Sequence, residues 1–408
     1  MNRLALLAMV LAAGVAGTAD AGGLSRPNNI SARGVGMGGA WVAFADDATA
    51  VYFNPAALSD AEPQIQVGAE LVVGPRSYTP TMADGTRGPA QEATALAPLP
   101  SIGGVGRFWY NDQPSRFTLA GGLWNTYGGQ IKYPKTGMKA LDSTQNAVIE
   151  ASAGTAFRVS DRLSIGASFR LGIGLFKVEA TQNPYDAKLE ANGIGVAMAW
   201  GLLFKPVDKV RIGVSWRAPL HVTTTGSGTV EGASGTEQVS VEHKQDWPQS
   251  ASLGVGVQAT PRLKLAAQVD WTQWSTITDI VVRLPGSGNP PSVYEENWND
   301  SWTFRVGADY ALTKTVAIRG GAYHDTPAIY ERVMERQYID SKKFGFSAGT
   351  SVRRGAWRVD LAMDLIPPLS KRTVPLPTPT TPDYERAKAP GEYKSFLFTF
   401  EASVARVF

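Results

Sequence analysis

The sequence has no cysteine and only three histidines. Without thiols there is no disulfide framework, no thiolate nucleophile and no Cys-based metal site. His221, His243 and His324 lie far apart and show no ligand spacing, so neither a metal nor a cofactor is expected. Charged residues make up 18% of the chain and the net charge is +3, with no cluster of Lys and Arg interleaved with aromatics. Nucleic-acid binding is therefore unsupported. Past the N-terminal region, charged residues interrupt every apolar run well short of the roughly 20 residues that a membrane-spanning helix needs. A chain like this in a bilayer must be a closed barrel, because only helices and barrels satisfy every backbone group in lipid.

The chain is rich in what barrels use. It has 43 Gly, 11 Trp and 10% aromatic residues, a mixture suited to strands, tight turns and interfacial belts. The end of the chain is the clearest stretch. Phe396, Phe398, Phe400, Ala402 and Val404 share one parity, Thr399, Glu401 and Ser403 the other, and the last residue is Phe408. A strand turns successive side chains to opposite faces, so one face is oily and the other polar. The same alternation marks fourteen segments: 64–73, 101–110, 116–124, 147–159, 163–180, 191–204, 210–224, 248–259, 263–282, 302–310, 316–323, 343–353, 357–366 and 394–408.

Connections after even-numbered segments are short and those after odd-numbered segments mostly long (74–100, 125–146, 225–247, 283–301, 324–342, 367–393). Short turns at one rim and long loops at the other characterise outer-membrane barrels. The expected fold is all-β, a 14-stranded antiparallel transmembrane β-barrel over residues 64–408, with lipid outside and the charged parity inside.

The N-terminus agrees with that compartment. Asn2 and Arg3, an apolar run from Leu4 to Val15 and the closing Ala19-Asp20-Ala21 describe a secretory signal peptide over residues 1–21. Residues 22–63 do not alternate and have too little apolar area to stand alone. Their natural place is inside the barrel, as an N-terminal hatch that plugs a lumen too wide for wall side chains to fill. Asp46 or Asp47 is positioned to cap a short helix that Pro55 ends. The glycine run Gly34-Val35-Gly36-Met37-Gly38-Gly39 is not a phosphate loop, since no strand leads into it and no Lys-Ser/Thr follows.

The run Ser31 to Leu58, with Asp46-Asp47-Ala48 and Asn54-Pro55-Ala56, resembles the hatch of the FadL family, outer-membrane transporters for long-chain fatty acids and aromatic hydrocarbons. Residues 247–256, 270–275 and 319–327 extend the resemblance in the expected order. It implies a fourteen-stranded barrel with a hatch, and passive uptake of hydrophobic small molecules in place of an enzyme activity. Its hatch motif falls on Asp46, Asp47, Asn54, Pro55 and Ala56. In the fatty-acid transporters the loop after the fifth strand is long and helical; here the connection 181–190 is short, which leaves the substrate class open.

A fully sheltered sixteen-carbon chain would gain about 11 kcal/mol, at roughly 0.8 kcal/mol per methylene. Graded sites and a moving hatch suit transport better than one deep pocket. Candidate ligand-binding residues are Leu24 and the arginines Arg158, Arg170 and Arg305, which either hold a carboxylate or pair internally with Glu150, Asp309 or Asp360. Tyr127, Tyr133, Trp247, Tyr294 and Trp298 form either a capture surface or an interfacial girdle. The family's third strand kinks inward to open a side exit, and Gly121-Gly122 is the candidate weak point here.

Besides the hydrophobic substrate, the implied partners are outer-membrane lipid and lipopolysaccharide, and the barrel-assembly machinery. Other functions open to such a barrel are an adaptor for a secretion machine, a diffusion porin and a lipase. A lipase needs a Ser/His pair near the lipid face, and His221 falls on the luminal parity.

Overall fold

The computed structural model describes residues 30–110, 113–134, 140–182, 185–232, 235–286, 290–367, 372–377 and 387–408. The proposed signal peptide and Leu24 lie outside them. The strands are β1 (Gln64–Pro80), β2 (Gln91–Tyr110), β3 (Gln113–Lys132), β4 (Ala140–Arg158), β5 (Leu163–Gln182), β6 (Tyr185–Val207), β7 (Val210–Arg217), β8 (Leu220–Gly232), β9 (Gly235–Trp247) and β10 (Ser250–Thr260). They continue as β11 (Leu263–Thr272), β12 (Asp279–Arg283), β13 (Ser292–Glu295), β14 (Ser301–Ala311), β15 (Val316–Asp325), β16 (Lys343–Arg354), β17 (Trp357–Ile366), β18 (Arg372–Val374), β19 (Gly391–Ser395) and β20 (Leu397–Val407).

Fourteen of these, β1 to β7, β10, β11, β14 to β17 and β20, pair antiparallel in sequence. The ring closes where β20 meets β1, with Gln64 opposite Val407 and Val73 opposite Phe398. The remaining strands extend or cap the long-loop rim. At β20 the parity is as expected: Phe400, Val404 and Phe408 are exposed, while Thr399, Glu401 and Ser403 are buried.

The oily outer band has a measurable height. On β6, Ile194, Val196, Met198, Trp200, Leu202 and Phe204 are all exposed. That spacing matches the 9–11 residues that a tilted strand needs to cross a bilayer, about 30 Å of hydrocarbon. On the outer face of β5 the band gives way to Lys177, which pairs with Glu190 at 2.6 Å. β5 and β6 nevertheless run on as a ladder to Gln182 opposite Tyr185. Much of what reads as loop at the long rim is thus strand projecting beyond the lipid. β1 to β4 lengthen in the same way, because no oily face is required there and the alternation stops.

Two further segments differ from the sequence reading. Segment 263–282 is not one strand: Trp274–Thr276 is a 3-10 turn between β11 and β12. Segment 210–224 breaks at Ala218-Pro219, where a proline cannot donate to the ladder. Ser215 and Arg217 are luminal before the break, and Leu220 and Val222 after it. The parity therefore flips, and His221 points outward, where its Nδ1 lies 2.6 Å from Asp246.

Residues Ile30 to Ala61 are enclosed by the wall. They form α1 (Ala32–Gly36), α2 (Ala50–Phe53) and a 3-10 helix (Pro55–Asp60). Ser31 caps α1, its hydroxyl accepting from Gly34 N at 3.2 Å. Asp47 accepts from Thr49 N at 2.9 Å, the two-residue reach of an Asx turn that starts α2. Asn54 Oδ1 then accepts from Ala56 N at 3.1 Å with Pro55 at the first position of the next helix, where its missing N–H costs nothing.

Glycines of the wall receive this segment. A Cβ at Gly201 would lie 2.0 Å from Asn54 Oδ1, and one at Gly166 would lie 2.4 Å from Ala56 N. At the long-loop end a second apolar cluster, including Trp247, Trp274, Trp298, Val333 and Met334, closes over the lumen.

Candidate functional site

The luminal charges are largely committed to one another. Glu150 is fully buried and accepts from Arg170 Nη2 at 2.9 Å, Arg217 Nη2 at 2.8 Å and Ser152 Oγ at 2.8 Å. Arg170 Nη1 also satisfies the Ala218 carbonyl exposed by the strand break, at 2.8 Å. Arg217 lies 3.6 Å over the Tyr52 ring and donates to Tyr52 O at 3.1 Å, tying the wall to the N-terminal segment. Arg305 pairs with Asp270 and donates to Gly38 O at 3.2 Å. Arg158 reaches Asp60 at 3.5 Å, beside Lys205 at 2.7 Å and Arg211 at 2.8 Å. Of the two alternatives for Arg158, Arg170 and Arg305, the structure shows internal pairing: with Glu150 for Arg170, as one of the expected partners, and with Asp60 and Asp270 for the other two.

The motif residues Asp46, Asp47, Asn54, Pro55 and Ala56 come together in a different capacity. Asp46 and Asp47 flank the buried Arg33, pairing with its guanidinium, Asp47 at 3.8 Å. Asn54 Nδ2 donates to Val42 O at 2.9 Å within the segment and to Leu202 O at 3.1 Å on β6.

An apolar cavity of about 280 Å³ lies at the long-loop end, against the inner face of β4 to β6 beyond the lipid band. Its walls include Phe176, Val178, Leu189, Val282 and Leu284, and β12, β13 and the 331–338 loop close it. Polar groups gather at one end: Asn146, Tyr338, Glu296 and Glu335. Glu296 accepts from Trp298 Nε1 at 2.8 Å and from Lys388 Nζ at 3.0 Å. Burial still pushes its carboxyl up to about 7, against both of those attractions. Burial raises Glu335 as well, with Lys388 3.9 Å away.

The sequence reading missed these cavity residues, though a signal was present. From Ser168 to Gly174 the inner parity of β5 is polar or bare, then it turns to Phe176 and Val178 while the outer parity turns to Lys177 and Glu179. An inversion of the oily face marks the point where a strand leaves lipid and begins to line an apolar interior.

The wall also parts between β2 and β3. Their ladder runs from Tyr110–Gln113 up to Ile102–Leu123 and ends there, while β2 stays paired with β1 and β3 with β4. Pro98 and Pro100 occupy alternate positions on β2 and so strip two donors from one edge. Beyond the parting β3 bends inward through a register shift between Asn125 and Tyr127, and Gly128 has φ +75°.

Gly121 and Gly122 lie directly beneath the parting and are paired on both sides. A Cβ on Gly122 would meet the Trp124 ring at 2.1 Å, so the bare glycine is what lets this indole fold inward. Asn125 Nδ2 bridges the gap to Pro100 O at 3.1 Å. Of the aromatics expected in a capture surface or girdle, Tyr127, Tyr133, Trp247 and Trp298 are buried inside the molecule, and Tyr294 lines the cavity. Tyr127 stacks on Trp247 with ring centres 4.8 Å apart.

A family model described as outer membrane protein transport protein (OMPP1/FadL/TodX) matches residues 12–366. Among solved structures, the chain is similar to a Pseudomonas aeruginosa FadL homologue at 19% identity and a TM-score of 0.82, covering 95% of this chain and 100% of that one. It is similar to the Ralstonia pickettii toluene transporter TbuX at 16% identity and a TM-score of 0.70, covering 94% of this chain and 99% of that one. The P. putida toluene transporter TodX gives the same figures, 16% identity, a TM-score of 0.70 and coverage of 94% and 99%. At these identities the likeness establishes the fold. No curated protein sequence matches the chain significantly.

Proposed function

From the premise that the chain belongs to the outer-membrane transport family OMPP1/FadL/TodX, we propose that it takes up small apolar molecules through the cavity above β4 to β6. The family consists of outer-membrane transporters of hydrophobic compounds. The observation that carries the finer reading is the inverted face of β5 and β6, charged outward and oily inward above the bilayer. Such a surface offers an aqueous-side landing place for molecules that water and charged polysaccharide exclude.

Capture there leads inward to the aromatic layer around Tyr127 and Trp247, which lies between the cavity and the N-terminal segment. Release follows one of the two movable boundaries. One is the parting of β2 and β3 above Ile102 and Leu123, latched by Asn125. The other is the N-terminal segment acting as a hatch, stapled through Asn54. Residues 1–21 act as an export signal on this reading. Lipid and lipopolysaccharide cover the outer band, and the barrel-assembly machinery inserts the chain.

The test is accumulation of radiolabelled p-xylene by cells that express this chain as their sole transporter of the family. Leu189→Trp, which fills the cavity without touching the lipid band, is expected to reduce uptake severalfold while surface expression stays constant. Unchanged uptake in that variant refutes the route.

A further inference from the structure

The walls of the cavity and its polar end make different demands on a ligand. The walls take any oily molecule of the right size. A cavity of about 280 Å³ is roughly twice the 150 Å³ space that holds a benzene ring, so it suits one substituted ring. The polar end is more selective. Asn146 is 5% exposed, and its Oδ1 lacks a hydrogen-bond partner. A buried acceptor left unmet costs free energy that an incoming donor recovers.

Beside it stand Glu296, buried at 3% exposure, and Glu335. Lys388 approaches both, at 3.0 and 3.9 Å, and Arg336, the other cation acting on Glu335, is itself paired with Asp142 at 3.5 Å, so one uncommitted cation faces two carboxylates. Among the described residues no Lys or Arg lines the cavity itself. A ligand carboxylate would therefore enter a site with surplus negative charge and an orphan acceptor, where a hydroxyl or amino group would be welcomed.

We propose that this site selects neutral aromatic molecules bearing a hydrogen-bond donor, of the phenol or arylamine class, and rejects carboxylates. This rests on the reading of the cavity as the capture site, and it narrows the substrate class. Glu296 and Glu335 face Lys388 from the segment before β19 and Tyr338 from the 331–338 loop, and Asn146 from β4 completes the polar end.

The experiment uses three probes of one shape: p-xylene, p-cresol and p-toluate. Binding to the purified full chain in detergent is followed by calorimetry at pH 7.5. p-Cresol should bind about tenfold more tightly than p-xylene, the worth of one good buried hydrogen bond, and p-toluate should bind at least tenfold more weakly than p-xylene. Asn146→Leu should remove the cresol preference and leave xylene binding intact. The double change Glu296→Gln with Glu335→Gln should restore p-toluate binding.

Equal binding of xylene and cresol that Leu189→Trp abolishes overturns the selectivity alone. So does a cresol preference that survives Asn146→Leu, or toluate bound as well as xylene. Absence of binding by all three, with the barrel folded by its heat-shifted gel mobility, overturns the capture reading and the selectivity with it.

Discussion

Replacing Asn54 by alanine isolates what holds the N-terminal segment in place. The side chain makes three hydrogen bonds: to Val42 O at 2.9 Å, to Leu202 O at 3.1 Å and from Ala56 N at 3.1 Å. The first and third are buried, the second part-buried, and Asn54 itself is fully buried. Each bond contributes about 1 kcal/mol net, so the substitution destabilises the folded, docked segment by about 3 kcal/mol, roughly a hundredfold relative to the segment undocked and unfolded; about 1 kcal/mol of this is the bond to Leu202 O on the wall. Alanine leaves the turn against Gly166 and Gly201 sterically free, so the barrel wall itself should be unaffected.

Hydrogen exchange in detergent micelles reads this directly. Amides of residues 42–58 should lose about two decades of protection, while wall amides between Leu253 and Val257 keep theirs. Asn54→Asp keeps the acceptor for Ala56 N but turns a buried carboxylate oxygen toward the Val42 and Leu202 carbonyls, so it should cost at least as much protection as alanine. Unchanged protection across 42–58 in Asn54→Ala would refute the claim that this residue staples the segment to β6. Simultaneous loss of protection in the wall would refute the claim that the segment docks as a separate unit.

Further consequences concern the wall, the cavity and the parting. Glu150→Ala leaves Arg170 and Arg217 buried without a counter-charge, a loss of about 3–5 kcal/mol, and should lower the urea midpoint of barrel unfolding measured by gel mobility; Glu150→Gln should recover part of it. Glu296 has a folded pKa of about 7, above its ordinary value. The folded state therefore holds the proton more tightly, and the cap over the cavity is most stable below about pH 4.5. Its stability should decline as pH rises to about 7 and then level off, by roughly 3 kcal/mol in all. Exchange of the 331–338 amides across that range checks the sign, and Glu296→Gln should reduce the slope to what the raised Glu335 contributes. Gly121→Val with Gly122→Val drives a Cβ into the Trp124 ring and should slow xylene uptake while the barrel still folds; unchanged uptake removes the parting from the route.

The barrel was legible in the sequence because lipid imposes a strict rule. Wherever a strand crosses hydrocarbon, every second side chain must be oily, and the segments at 163–180, 357–366 and 394–408 carry that period openly. Beyond the bilayer the rule lapses. β1 to β6 all extend past their alternating portions, and what reads as loop is paired strand. Parity failed at His221 because Pro219 breaks the ladder and resets the faces.

The charged lumen was visible as a class of positions, with Glu150 among the candidate partners, yet which acid meets which arginine was not. Arg170 meets Glu150 and Arg305 meets Asp270 through cross-strand register, which alternation alone does not specify. Pro55 was readable as the end of a helix, but the fit of the motif around Asn54 depends on glycines more than a hundred residues away. The cavity was written in the inversion at Phe176 and Lys177, a local signal that becomes meaningful only once the height of the lipid band is known.

The central claim is that oily side chains face outward through the bilayer and inward above it, enclosing a ligand site between them. A structure of the purified protein solved after exposure to p-xylene tests it most directly. The account predicts ring-shaped density among Phe176, Val178 and Leu189, with detergent or lipid confined to the band defined by Ile194 to Phe204. Density for the ring elsewhere with this cavity collapsed, or Phe176 and Val178 turned outward to solvent, would contradict it.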